Sequence, residues 1–393
     1  MNGPVTIIGA GLAGLSCARE LKGHGVESVL LEASGHVGGR VQTDEYEGFL
    51  LDRGFQVLLT AYPECRRLLD YEALQLKPFY PGALVRFGGK CHHLADPWKH
   101  PAEAAASLIS PIGSFMDKLR ISSLRTAVTQ GALPDLFRRP ETTTKQALLN
   151  YRFSSKIIDR FFRPFFGGIF LERELETSSR LFEFIFRMFS EGDTALPAGG
   201  MKAIPYQLGH ELDVRLNTAV AELPAGPVVV AVEEPEAARL LGEALPQGAR
   251  SVDCLYYAAE TAPVTEPILI LNGENSGPVN NCCVVSAVAP TYAPAGASLI
   301  SVSVLKSAPE ADVRAQLVEW FGVNVTRWQH LRTYSIPYAQ PVQKVYAPKP
   351  VRVRPGLYRC GDYMENPSLD GALASGRRAA QALLEDSDRQ LIS

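Results

Sequence analysis

Val5-Thr6-Ile7-Ile8-Gly9-Ala10-Gly11-Leu12-Ala13-Gly14, followed by Val29-Leu30-Leu31-Glu32, frames the N-terminal unit of the chain. The first run is short, apolar and β-branched, and it stops at glycines, which reads as a buried strand entering a turn. Leu15 to Lys22 reads as a helix ended by Gly23 or Gly25, and Val29 to Glu32 reads as a second strand. The unit is therefore βαβ with Gly-x-Gly-x-x-Gly at its first turn. Gly9 allows the tight turn, Gly11 lets a pyrophosphate approach the backbone, and Gly14 lets the helix pack on the strand. The helix N-terminus, with Leu12 and Ala13 in its first turn, offers unpaired N–H groups and a partial positive charge. Glu32 ends the second strand, where an acidic side chain accepts from a ribose 2′-hydroxyl and repels a 2′-phosphate. Together these features specify a dinucleotide site.

Further along the chain, Glu32-Ala33-Ser34-Gly35-His36-Val37-Gly38-Gly39-Arg40 adds a second glycine pair and an arginine. Gly38 and Gly39 leave room for close approach, and Arg40 is suited to neutralise pyrophosphate charge. An NAD domain does not need this second clamp, so FAD is the expected cofactor. The stretch resembles the ExxxxxGGR signature of the FAD-dependent amine oxidase and phytoene desaturase superfamily, which includes protoporphyrinogen oxidase. Asp52-Arg53-Gly54-Phe55-Gln56 is similar to that family's Asp-x-Gly stretch beside the flavin.

The far end of the chain is similar to the family as well. Gly356 to Cys360 reads as a strand closed by Gly361-Asp362, a pair that in the family meets the ribityl and pyrophosphate groups. Ser368-Leu369-Asp370-Gly371-Ala372 then opens a helix running to about Glu385. The resemblance implies that its N-terminal amides face the flavin pyrimidine, where reduction places negative charge. Val214 to Val220 reads as a strand, and the resemblance makes Val220 the residue touching adenine. Val228 to Ala231 reads as another buried strand, leading into a helix over 236–245.

The expected architecture is α/β: a discontinuous Rossmann-type FAD-binding domain with an inserted α+β substrate domain. The FAD-binding parts are 1–60, 196–250 and 350–393. The substrate parts are 61–195, read as largely helical, and 251–349, read as an antiparallel sheet. Helices are expected at 61–69, 102–108, 115–128, 145–149, 156–162 and 309–321. Phe161 to Phe170, with Arg163-Pro164 and Gly167-Gly168, looks like a stretch of desaturase-like members. Its rings read first as packed core. The sharper reading puts Phe166 and Phe170 at an apolar substrate cavity, while Arg53 reads first as the structural partner of a carboxylate, with binding a substrate anion or polarising the flavin as the alternative.

Bulk properties narrow the class. The 393 residues exceed what one core usually organises, and the formal net charge of −3 gives no basic surface for nucleic acid. Seven cysteines at irregular spacing, with no CxxC pair, indicate neither zinc nor a disulfide framework. A cytoplasmic setting is expected, with no signal peptide and no transmembrane run. Met116 to Arg125 mixes cations with apolar residues; it reads as a solvated helix face, with peripheral membrane contact as the alternative. His92 and His93 read as surface residues, not ligands.

Chemistry is expected at the flavin, which accepts hydride from a substrate C–H at N5 and is reoxidised by oxygen or a quinone. In the amine-oxidase branch an aromatic ring precedes the closing helix; here Ser368 occupies that position, with Tyr363 nearby. That departure disfavours an amine and fits a desaturase- or dehydrogenase-like enzyme acting on an apolar isoprenoid or related lipid. An amine oxidase, a protoporphyrinogen oxidase-like enzyme and a non-catalytic flavin scaffold stay open. No catalytic base is identified.

Overall fold

The computed structural model describes residues 3–100 and 110–392, so the helix expected at 102–108 lies outside the described residues. The βαβ unit forms as Val5–Ile8, Leu12–Gly23 and Ser28–Leu31. Its strands belong to a six-stranded sheet in the order Asp213–Arg215, Ser28–Leu31, Val5–Ile8, Val228–Val230, Leu357–Arg359, Arg352–Arg354. The first five run parallel and the last closes the edge as an antiparallel neighbour. Strands far apart in the chain thus lie side by side, with their carboxyl ends at one edge. In open α/β sheets that edge is where ligands bind.

The last helix, Leu369–Ile392, packs on the first. Ser16 donates to the Leu373 carbonyl at 2.7 Å, and a Cβ on Gly376 would stand 2.1 Å from the Ala13 carbonyl oxygen. Gly376 is therefore what lets the two helices touch.

The second sheet has seven strands, ordered Gln329–Gln340, Arg250–Ala259, Ser298–Val304, Val279–Val284, Leu269–Asn272, Gly82–Phe87, Lys90–Ala95. All neighbours are antiparallel except Leu269–Asn272 and Gly82–Phe87. Residues 61–195, read as largely helical, also give two strands to this sheet. The turn between those strands is Gly88-Gly89, with φ +61° and +73°. That is the two-residue hairpin geometry that glycines permit.

Other differences have local causes. The strand read as Val214 to Val220 ends at Arg215, because Asn217 takes φ +52° and Thr218 turns to donate to the Glu32 carbonyl. The helix read over 236–245 is Glu234–Leu241, stopped by Gly242 at φ +69°. The segment read as one helix over 156–162 becomes a π-turn, Ile158–Phe162, running into Arg163–Phe170. Pro164 has no N–H to give the regular ladder and its ring crowds the preceding turn, so the helix widens there.

Candidate active site

A cavity of about 1180 Å³ joins the glycine-rich edge to the substrate sheet. Its wall includes Gly9, Gly11, Leu12, Ala13, Glu32, Gly38, Gly39 and Arg40 from the first unit. Arg53, Gly54, Phe55 and Gln56 follow, and Gly361, Asp362, Ser368, Leu369 and Ala372 come from the other end of the chain. Phe170 lines it too.

The remaining residues singled out from the sequence lie off the wall. Gly14 packs beneath the turn, where a Cβ would stand 2.1 Å from the Gly9 carbonyl oxygen. Gly371 is hemmed in the same way by the Asn366 carbonyl. Ala33 is exposed beside Glu32. Val220 sits in a loop, its carbonyl accepting from Arg239. Phe166 is fully buried among Phe162, Phe170 and Phe182, so it belongs to the ring-packed core.

The turn has the form a pyrophosphate needs. Gly9 has φ +102° and abuts the Ala231 carbonyl, so the chain bends where only glycine fits. A Cβ on Gly11 would meet nothing within 4 Å, so the backbone there faces open cavity. Gly38 donates to the Ala10 carbonyl at 2.7 Å, holding the second glycine pair against the first turn. Glu32 accepts from the Ala10 and Ser34 amides, both at 2.8 Å, which fixes its carboxylate and leaves lone pairs for a ribose hydroxyl. On the same wall, Gln56 donates to the Arg40 carbonyl at 3.0 Å, while its Oε1 is buried and has no hydrogen-bond partner among the described residues. An open backbone cradle beside a fixed carboxylate, with an unspent buried acceptor, fits FAD.

Arg40 ties the two ends of the chain together. It donates to Asp362 at 2.7 Å and to the Ala339 carbonyl at 2.7 Å, and its Nε lies 3.4 Å from Glu233. The acidic neighbours hold its pKa above the usual arginine value, against the opposing effect of burial. Glu233 was not anticipated from the sequence, although it lies three residues past the end of the central parallel strand Val228–Val230, on the edge that switch-point geometry marks for binding. Arg53 pairs with Asp44 at 2.9 Å, and Asp44 also accepts from Tyr334 at 2.7 Å.

The closing helix presents its N-terminus to the cavity. Ser368 caps it, accepting from the Gly371 amide at 3.0 Å and donating to Asn366. Tyr363 is not a substitute ring: it is buried and off the cavity wall, and its hydroxyl has no hydrogen-bond partner among the described residues. Tyr62, in hydrogen-bond contact with Ser368, brings an aromatic ring to this end and stacks on Phe184 at 6.0 Å.

Behind Ser368, Asp370 is 6% exposed and accepts from the Glu64 amide at 2.7 Å. Burial, with help from the Glu64 carboxylate, pushes its pKa up to about 7. Asp52, buried between Thr43, Tyr292 and the Met201 amide, is likewise pushed by burial up to about 6. A raised folded-state pKa means that the folded protein holds the proton more tightly than the unfolded chain. This contribution to stability is complete below about pH 4, the ordinary carboxylate value, and is lost as pH rises through 6 and 7. The melting temperature is therefore expected to fall between pH 5 and about 7.5. Asp370→Asn keeps the acceptor for Glu64 but removes the titration. Calorimetric melting should show a flatter pH profile for that variant, and an unchanged slope would overturn the assignment.

Sequence and structure comparisons agree with this geometry. The model of the family described as "Flavin containing amine oxidoreductase" matches residues 12–236 and 224–384. Protoporphyrinogen oxidase 2 of Arabidopsis thaliana is 27% identical over 173 residues, 42% of this chain and 32% of that protein. A coproporphyrinogen III oxidase of Propionibacterium freudenreichii is 27% identical over 177 residues, 42% of this chain and 31% of that protein. The matched stretch thus spans about a third of the length of these relatives. The fold is that of an oxidoreductase from Methanosarcina mazei, with TM-score 0.71 over 98% of this chain and 100% of that one, at 20% identity. Glycines, acidic residue, arginine and closing helix all meet at one cavity, and the chain belongs to the flavin-containing amine oxidoreductase family.

Proposed function

We propose that the protein dehydrogenates a large, mostly apolar molecule, an isoprenoid or related lipid, with hydride passing from a substrate C–H to the flavin. FAD supplies the electron sink when bound. Gly11, Glu32, Arg40 and Gln56 would hold it, and the Ser368-capped helix would stabilise charge on its pyrimidine side. Oxygen or a quinone would reoxidise it. The observation that carries the reading is the cavity wall beyond the glycines. It is lined by Phe79, Phe161, Phe165, Phe170, Phe186 and Phe189, which together favour apolar surface. Ser368 stands where the amine-oxidase branch has a ring, so the cation-recognising cage of that branch lacks one member here. Among the described residues no helix is long and apolar enough to cross a membrane. Phe115, Met116 and Leu119 are about half exposed on the helix Phe115–Thr129, whose Leu119 and Ser122 line the cavity. Peripheral contact with a lipid surface would suit delivery of such a substrate.

A second reading is a reduced porphyrin as substrate, favoured by the two porphyrinogen oxidases among the relatives. Anaerobic bleaching of the flavin separates these. Long isoprenoids should bleach it within minutes, and polyamines should not. Bleaching by a porphyrinogen alone would favour the second reading, and bleaching by amines alone would overturn both.

A further inference from the structure

Three polar side chains stand on the sheet wall of the cavity: Gln340, which donates to the Ile169 carbonyl at 2.9 Å, and the pair Asn281 and Ser303. Asn281 and Ser303 are 4% and 5% exposed, line the cavity, and face each other as a register pair on neighbouring strands. Their hydrogen bonds run in one direction. Asn280 Nδ2 donates to the Pro164 carbonyl and to Asn281 Oδ1, both at 2.9 Å, which engages both of its protons. That fixes the Asn281 amide with Nδ2 turned onward, donating to Ser303 Oγ at 3.3 Å. One N–H of Asn281 and the O–H of Ser303 then find no acceptor among the described residues. Gly168 makes room for the arrangement: a Cβ there would stand 3.0 Å from both Asn280 Nδ2 and Asn281 Oδ1.

From this chain of donors we infer that Asn281 and Ser303 form a subsite for one uncharged acceptor oxygen, a ketone, aldehyde or ether, on an otherwise apolar substrate. The inference rests on the apolar-substrate reading above and specifies it. A hydrocarbon would leave both donors buried and unsatisfied, which a polar wall group penalises. An anion would need a cation beside it, and the neighbouring lining residues of the sheet, Val252, Leu269 and Ile336, are apolar.

The test uses FAD-loaded protein, calorimetry and two probes: geranylacetone, and the hydrocarbon of the same skeleton in which CH2 replaces the carbonyl. Wild-type protein should bind the ketone at least about fivefold more tightly, the value of one neutral hydrogen bond. Ser303→Ala should lose that preference while hydrocarbon affinity stays constant, and Asn281→Leu should do the same. Ser303→Ala removes one atom and is the variant expected to fold in any event. A ketone preference that survives in both variants, or is absent from the wild type, overturns the subsite while leaving the apolar reading in place. If neither probe binds, the apolar reading falls and the subsite falls with it.

Discussion

A Gly11→Val protein is expected to fold and to purify without colour. Gly11 has extended backbone, φ −72° and ψ 177°, which a valine adopts without strain, and its missing Cβ faces open cavity. The branched side chain therefore disturbs nothing in the apoprotein but occupies the place where a pyrophosphate would meet the helix N-terminus. Overlap of this kind costs about 1–3 kcal/mol and also breaks backbone hydrogen bonds to the phosphate, so FAD affinity should fall about 100-fold or more. Titration of apoprotein with FAD, followed by quenching of flavin fluorescence, measures the loss. The apo melting temperature should match wild-type apoprotein, with only the FAD-dependent increment missing. Gly376→Ala supplies the contrast. Its Cβ would stand 2.1 Å from backbone oxygen in the first helix, so the two helices must separate and the fold itself should weaken. A yellow Gly11→Val protein would mean that the turn does not face the cofactor.

The contrast between these glycines also shows what the sequence makes legible. Gly9, Gly11 and Gly14 have distinct spatial reasons, and the spacing alone indicates each of them. Glu32 is equally readable, because a strand end following a Gly-x-Gly-x-x-Gly turn has a fixed place in a parallel sheet. The union of residues 361–372 with the first helix came from resemblance, and its physical basis, the Gly376 contact and the Ser16–Leu373 hydrogen bond, is tertiary. The hairpin at Gly88-Gly89 was present as a turn signal but was obscured by an irregular, His-containing strand, Lys90–Ala95. Phe166 and Phe170 could not be sorted in advance. They lie one helical turn apart and only packing decides that one is core and the other cavity wall. Asn281 and Ser303 gave no signal, since a polar residue on a strand reads as solvent-facing until the sheet beside it is known.

Arg40→Leu is expected to cost stability and cofactor binding for separable reasons. Asp362 is 7% exposed, with the guanidinium 2.7 Å away. Removing the cation strands a buried carboxylate, a loss of about 3–5 kcal/mol, so apoprotein should melt well below wild type. Adding Asp362→Asn removes that charge, and the double variant should regain most of the stability. FAD affinity should stay weak in the double variant, because no cation remains beside the glycine pair Gly38-Gly39 to face the phosphates. Asp362→Asn alone should bind FAD at least as tightly as wild type, since one of the carboxylates competing for Arg40 is gone while Glu233, 3.4 Å away, stays. Thermal melts and FAD titrations on the four proteins complete the cycle. Recovery of both stability and FAD affinity in the double variant would reduce Arg40 to a structural partner of Asp362. Recovery of stability alone makes it a phosphate clamp that the fold holds in place with a buried carboxylate.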